Sequence, residues 1–360
     1  MRKILLITIA TFFAGQTFAQ KKSANFSIEN SSSLKRNGEL VRINWSDVLK
    51  LNPSIDTANF QVVENATSAQ IPYQLEKLGG SEVKYLLVQV SVDAKSSIKL
   101  SLINKKSTPV KAKTYGRYVP ERKDDFAWEN DKVAFRMYGK ALEGSNENAY
   151  GMDVWVKSTS ELVVNKRYKL NDYHKDHGDG LDYYSVGKTL GVGDMAPYLN
   201  DTARYLGNYS SYKILDNGPL RTTFQLIFDE ATVNGQTIKV QKTISIDAGS
   251  QMNKIENVYS VKGAKQLPVG VGLATRNEKD KTLLENTKGI IGYWEPAHGP
   301  DGITGVGAVL TSNINIVRKK DQVLAITTVK SDQPVIYYAG AAWNKAGEIK
   351  TSQQWFDYLT

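Results

Sequence analysis

The chain has no cysteine and only three histidines among its 360 residues. Without cysteine there is no disulfide, no thiolate metal site and no lipid-bearing cysteine, so stability must come from a packed core. Other absences narrow the chemistry. There is no Gly-x-Ser-x-Gly elbow, so a serine hydrolase of that type has no support. There is no His-Glu-x-x-His zinc motif, and Gly191-Val192-Gly193 lacks the Gly-x-Gly-x-x-Gly spacing and following helix of a nucleotide site. No cofactor motif is present, and no cofactor is expected. The apolar stretch near the start is too short to span a bilayer as a permanent anchor, and no later segment is apolar enough to span. Lys/Arg blocks are also lacking. The formal charge of +9 therefore argues weakly for nucleic acid and better for solubility or for acidic polymers.

The first residues read as a secretory signal. Arg2 and Lys3 are followed by an apolar stretch to Ala14, and Thr17-Phe18-Ala19 offers a cleavage site before Gln20. The expectation is a signal peptide over 1–19, then a periplasmic or secreted protein with no membrane anchor. The oligomeric state is not legible.

What is abundant is alternation. Residues 60–63, 85–92, 98–102, 133–138, 152–156, 221–228, 238–246 and 324–329 repeat with period two. Asn234-Gly235 and Asp247-Ala248-Gly249 mark turns. Only 46–51 looks helical, with Ser46 as N-cap. Regular strands without interleaved helices predict an all-β fold: a large antiparallel β-sandwich over 111–360, preceded by a small β unit over 20–110. The 19 tyrosines and six tryptophans suit strands, and they also suit sugar faces.

Three segments can carry chemistry. The densest is Tyr173-His174-Lys175-Asp176-His177-Gly178-Asp179-Gly180-Leu181-Asp182-Tyr183-Tyr184, with two of the three histidines. Its polarity and glycines predict a loop outside the core, loaded with proton-transfer groups. His174 and His177 with Asp176 or Asp179 form at most a weak metal set, and no metal is expected. The second segment, 116–131, holds Arg117 and Arg122 just ahead of the strand bearing Arg136. Arginine suits bidentate carboxylate binding, although such a charge run also reads as a solvated face. Arg136 shares a strand face with Ala134 and Tyr138, opposite Val133, Phe135 and Met137. The third segment, 292–302, sets His298 beside Trp294 and reads as a loop that either walls a sugar site or covers the end of the sandwich.

Trp128-Glu129-Asn130-Asp131-Lys132-Val133-Ala134-Phe135-Arg136-Met137-Tyr138-Gly139, the run from Tyr173 through Tyr184-Ser185-Val186-Gly187, and Gly340-Ala341-Ala342-Trp343 resemble an exported Gram-negative family known as a domain of unknown function, one that includes the ulvan oligosaccharide dehydratase. The resemblance covers nearly all of the chain after the signal. It implies a sandwich related to galactose mutarotase and several polysaccharide lyases. It also implies β-elimination, with loss of water, at a terminal uronic acid of an acidic oligosaccharide.

The residues suit that chemistry. Arg117, Arg122, Arg136 or Lys175 can neutralise a uronate carboxylate. His174 is the first choice of base for the C5 proton, His177 the second, with Tyr183 and Tyr184 behind, and a further group must protonate the leaving oxygen. A polysaccharide lyase that cleaves the chain, a sugar epimerase or mutarotase, and a non-catalytic carbohydrate-binding protein are the alternatives.

Overall fold

The computed structural model describes residues 24–276 and 282–360; the signal-peptide reading lies outside them. The chain divides into two compact units, 1–112 with 218–220, and 113–217 with 221–360.

In the first unit β1 (Ala24–Asn30), β2 (Arg36–Asn44), α1 (Trp45–Leu51), β3 (Gln61–Glu64), β4 (Tyr73–Glu76), β5 (Tyr85–Val92) and β6 (Ser96–Ile103) form two three-stranded antiparallel sheets, β1-β6-β3 and β2-β5-β4. Alternate residues of their strands, among them Phe26, Ile28, Val88, Val90, Leu100 and Leu102, fill one core. The helix expected over 46–51 exists, but its N-cap is Asn44 rather than Ser46, and Asn44 donates to Asp47 on the first turn at 3.2 Å.

The second unit runs β7 (Thr114–Val119), β8 (Asp125–Asn130), β9 (Val133–Met137), β10 (Asp153–Val156), α2 (Val164–Leu170), β11 (Val192–Leu199), β12 (Thr202–Ala203), β13 (Tyr209–Asn217), β14 (Arg221–Phe228), β15 (Ala231–Val233), β16 (Gln236–Asp247), β17 (Met252–Val261), β18 (Gln266–Ala274), β19 (Thr282–Asn286), β20 (Ile290–Trp294), β21 (Thr304–Leu310), β22 (Asn315–Arg318), β23 (Gln322–Lys330), β24 (Pro334–Trp343) and α3 (Ser352–Leu359). A nine-stranded sheet follows the order β13-β14-β16-β17-β24-β21-β20-β19, with β15 added on β16. A five-stranded sheet, β12-β11-β18-β23-β22, and a four-stranded sheet, β10-β9-β8-β7, complete the unit. All three sheets contribute to one continuous apolar core. This is an all-β sandwich, as the alternation predicts.

Local chemistry explains the elements. Asn234 and Gly235 both take positive φ, the conformation a two-residue hairpin between β15 and β16 demands. Two helices beyond α1 were not legible. In α2 the residues Val164, Arg167 and Tyr168 turn inward, yet no Ser, Thr, Asp or Asn precedes it as a cap. Its cap comes from β8: the Glu129 carboxylate accepts the Val163 and Val164 N–H groups at 2.9 and 2.7 Å. The same carboxylate pairs with the buried Lys157 ammonium at 2.8 Å. In α3 the Thr351 hydroxyl caps the helix through Gln354 N–H, and Trp355 is buried beneath it.

Candidate functional site

The four-stranded sheet has two unlike faces. Phe126 and Trp128 of β8 and Phe135 and Met137 of β9 point into the main core, where Phe126 stacks on Phe224 with ring centroids 4.1 Å apart. The opposite face carries Asp125, Ala127 and Glu129, then Ala134 and Arg136, then Asp153 and Trp155. The antiparallel register sets Arg136 across from Asp153. Helix α2 and the 171–187 loop cover this face through Tyr168 and Tyr173, which join Ala127, Ala134 and Trp155 in a second core.

Arg136 lies at the centre and is only 5% exposed. Its Nη2 donates to Asp153 Oδ2 at 2.5 Å and Asp182 Oδ2 at 3.0 Å, and its Nη1 is 3.7 Å from Asp125 Oδ2. The guanidinium also sits over the rings of Tyr138 and Trp155, at 5.0 and 5.2 Å. Three carboxylates thus face one cation. Burial pushes Asp125 up to about 6 and Asp153 up to about 7, the latter helped by the neighbouring Asp182. Asp182 is raised as well, by the same burial. Asp125 accepts from the Tyr168 hydroxyl at 3.2 Å through Oδ2, whereas Asp125 Oδ1 and Asp153 Oδ1 are buried with no hydrogen-bond partner. A carboxylic acid tolerates that better than a carboxylate, in the same direction as the burial that raises Asp125 and Asp153. Arg136 is therefore not the exposed receiver of a substrate carboxylate that its strand position suggested, because aspartates of its own chain already occupy it.

The 171–187 segment is a loop, but its second half is not outside the core. Leu181 exchanges backbone hydrogen bonds with Val156, at 3.1 and 3.0 Å, and its side chain is buried with Val156 and Trp343. The neck of the loop is closed where Asp182 N–H donates to Tyr173 O at 2.8 Å and His174 Nδ1 meets Asp182 O at 2.8 Å. Asp176 Oδ1 accepts the N–H groups of Gly178 and Gly180 at 2.8 and 2.9 Å. Gly180 has φ +100°, and a Cβ there would lie 2.2 Å from Val156 O. Asp179 is taken by Lys166 at 2.6 Å and by Arg167. Both aspartates thus shape the loop, and among the described residues no group of three or more His, Asp or Glu side chains could hold a metal ion.

The histidines differ in setting. His174 has a 70% exposed side chain. A carbonyl only accepts, so the Asp182 contact places the proton of a neutral His174 on Nδ1 and leaves the Nε2 lone pair free. Asp182 Oδ2 is 3.7 Å from the same Nδ1. His177 instead turns Nε2 to Asp172, at 3.1 Å from its carbonyl and 3.2 Å from its carboxylate. Lys175 is exposed. Arg122 donates through Nε to the Tyr173 hydroxyl at 3.2 Å and pairs with Glu147 at 3.1 Å. Arg117 pairs with Glu121 and lies over the Tyr168 ring, 5.5 Å away.

A second cluster adjoins the far side of the loop. The Tyr183 hydroxyl is 2.6 Å from Thr304 Oγ1, and its ring centroid is 5.2 Å from that of His298. His298 is exposed and contacts Asp301 Oδ2 at 3.3 Å. Glu295, buried, accepts Thr304 N–H at 3.2 Å and lies 3.5 Å from Arg276 Nε. Burial raises the Glu295 carboxyl above its ordinary range, against the pull of Arg276. Burial pushes the Tyr183 and Tyr184 hydroxyls up, which favours their protonated forms. Tyr184 donates to Gly191 O at 3.3 Å. The Arg276 guanidinium lies over the Tyr184 ring, 4.9 Å from its centroid.

Trp294 is not a sugar wall. Residues Ile290–Trp294 form strand β20 rather than a loop, and Trp294 is buried with Ala342 and Trp355 beneath α3. The readings from sequence also passed over Asp125, Asp153, Tyr138, Tyr168, Arg276 and Glu295. A signal was present for two of them. Asp153 stands in a strand whose other positions are all apolar or aromatic, Asp125 heads the Phe126-Ala127-Trp128 run, and a charge in a strand buried on both faces needs a buried partner.

The fold and site define an all-β sandwich with a charged sheet face, roofed by a histidine-bearing loop. The chain belongs to the family described as domain of unknown function DUF4861, which matches residues 28–360. It is 30% identical over 381 residues to uncharacterized protein P7 of Formosa agariphila, covering 99% of this chain and 94% of that one. Two solved structures share the fold: an alpha-mannosidase from Enterococcus faecalis V583, at 9% identity and TM-score 0.50, and a protein of glycosyl hydrolase family 38 from Enterococcus faecalis, at 10% and 0.52. Each matches 95% of this chain, which spans only 46% and 47% of theirs. At such identity the likeness concerns fold alone.

Proposed function

We propose that this protein is a carbohydrate-active enzyme that removes water by β-elimination from a terminal uronic acid of acidic oligosaccharides such as ulvan fragments. The observation that carries the reading is the His174 contact: Nδ1 is engaged by the Asp182 carbonyl at 2.8 Å, and the ring is otherwise open to solvent. That is the setting of a general base with its lone pair presented outward.

In the reaction His174 Nε2 takes the C5 proton. The C–H electron pair becomes the C4=C5 bond, the C4–O bond breaks, and the oxygen leaves as water with a proton from the Tyr183–His298 side. Arg122, half-buried beside Tyr173, replaces Arg136 as the cation for the uronate carboxylate, with Lys175 nearby in sequence. The carbohydrate names of the two structural neighbours accord with a sugar substrate.

The test is mass spectrometry of saturated ulvan oligosaccharides incubated with the protein. Products of unchanged chain length that lack one water support the dehydratase. Shortened chains would mean a polysaccharide lyase, and affinity without turnover a carbohydrate-binding protein.

A further inference from the structure

We propose that Asp182 is the positioning residue of His174 and that buried Arg136 is what fixes Asp182. The inference rests on the reading of His174 as base. One residue addresses the same ring nitrogen twice: the Asp182 carbonyl accepts Nδ1–H at 2.8 Å, and its carboxylate lies 3.7 Å away. The carbonyl selects the tautomer. The carboxylate has little to do while the ring is neutral, but it stabilises the imidazolium that forms when Nε2 takes the substrate proton, an interaction realised only along the reaction.

Neither group can drift. The Asp182 N–H is bonded to Tyr173 O at 2.8 Å, so His174 and its anchor are joined across the neck of the loop. The Asp182 carboxylate is bonded at 3.0 Å to Arg136, whose own position is set by strand β9 and by Asp153 at 2.5 Å. A solvent-exposed histidine is thereby referenced to the centre of a sheet through two hydrogen bonds. This gives Arg136, displaced from substrate binding, a defined part.

The full chain with nitrogen-15-labelled histidine provides the test. Long-range proton–nitrogen spectra at alkaline pH, assigned by comparison with His174→Gln, should show His174 in the Nδ1–H form. Asp182→Asn retains the carbonyl and an acceptor for Arg136 while removing one of three crowded carboxylates, so folding is not threatened. It should keep the Nδ1–H form but lower kcat on saturated ulvan oligosaccharides by about 10- to 100-fold, with KM within about twofold, a smaller loss than in a buried triad because His174 is open to solvent screening. Asp182→Ala, which also severs Arg136, should mix the tautomers. A wild-type spectrum showing the Nε2–H form, or Asp182→Asn turning over like wild type, would overturn the proposal. If wild type shows the Nδ1–H form but eliminates water from no oligosaccharide, the assigned function fails while the positioning stands.

Discussion

Asp153→Asn is expected to stabilise the protein at about pH 8 and to change little at about pH 5. In the native state Arg136 faces Asp125, Asp153 and Asp182 within one buried cluster. Burial raises Asp125 from 3.8 to about 6, and burial with Asp182 raises Asp153 to about 7. Folded values above the unfolded one mean that the native state binds more protons. This contribution to stability is fully present below the unfolded value of 3.8 and is lost as pH rises through 6 and 7. For Asp125 a shift of roughly two units at about 1.4 kcal/mol each is about 3 kcal/mol, and Asp153 acts in the same direction.

Asparagine at 153 keeps an oxygen for Arg136 and abolishes one of these penalties. Its amide nitrogen falls where Asp153 Oδ1 now has no partner, at a cost of about 1–3 kcal/mol. The net expectation at pH 8 is a gain of about 0–2 kcal/mol, obtained by setting that cost against a pKa term of about 3 kcal/mol. Ordinary loss of a buried ion pair would instead cost about 3–5 kcal/mol. Here it does not apply, because Arg136 retains Asp182 and Asp125. Urea unfolding of wild type and variant at four pH values between 5 and 8 is the assay. Wild-type stability that rises across this range, or a variant that loses about 3 kcal/mol or more at pH 8, would refute the reasoning.

Other outcomes follow from the same geometry. His174→Ala should lower turnover by about 10²- to 10⁴-fold while melting hardly shifts, since the side chain is 70% exposed; a fully active variant would place the base elsewhere. Trp294→Ala should cost about 3–5 kcal/mol as a core deletion yet leave KM for the oligosaccharide unchanged in protein that remains folded, and a selective rise in KM would restore Trp294 to the sugar site. Gly180→Ala should destabilise by several kcal/mol, about the upper range for single substitutions, because its Cβ would meet Val156 O at 2.2 Å; wild-type urea stability in this variant would show that the loop can yield. Exported material should begin at Gln20, which N-terminal sequencing reads directly.

Which side of a strand each residue occupies was written in the sequence, because successive side chains of an extended backbone point to opposite faces. Alternation alone therefore placed eight of the strands, the sandwich class, and Arg136 on the face opposite Val133, Phe135 and Met137. The crowding of charge and glycine at 173–184 likewise marked a loop that carries chemistry. What each side chain meets was decided by the tertiary structure. Arg136 finds Asp153 and Asp182 at 17 and 46 residues' distance through strand register and the path of a loop, and α2 receives its cap from Glu129, 35 residues earlier. Trp294 looked like a sugar platform until α3 closed over it. Local periodicity is a property of neighbouring residues, whereas burial, ion pairing and the tautomer of His174 depend on groups far apart in the chain that only the folded topology brings within a few ångströms.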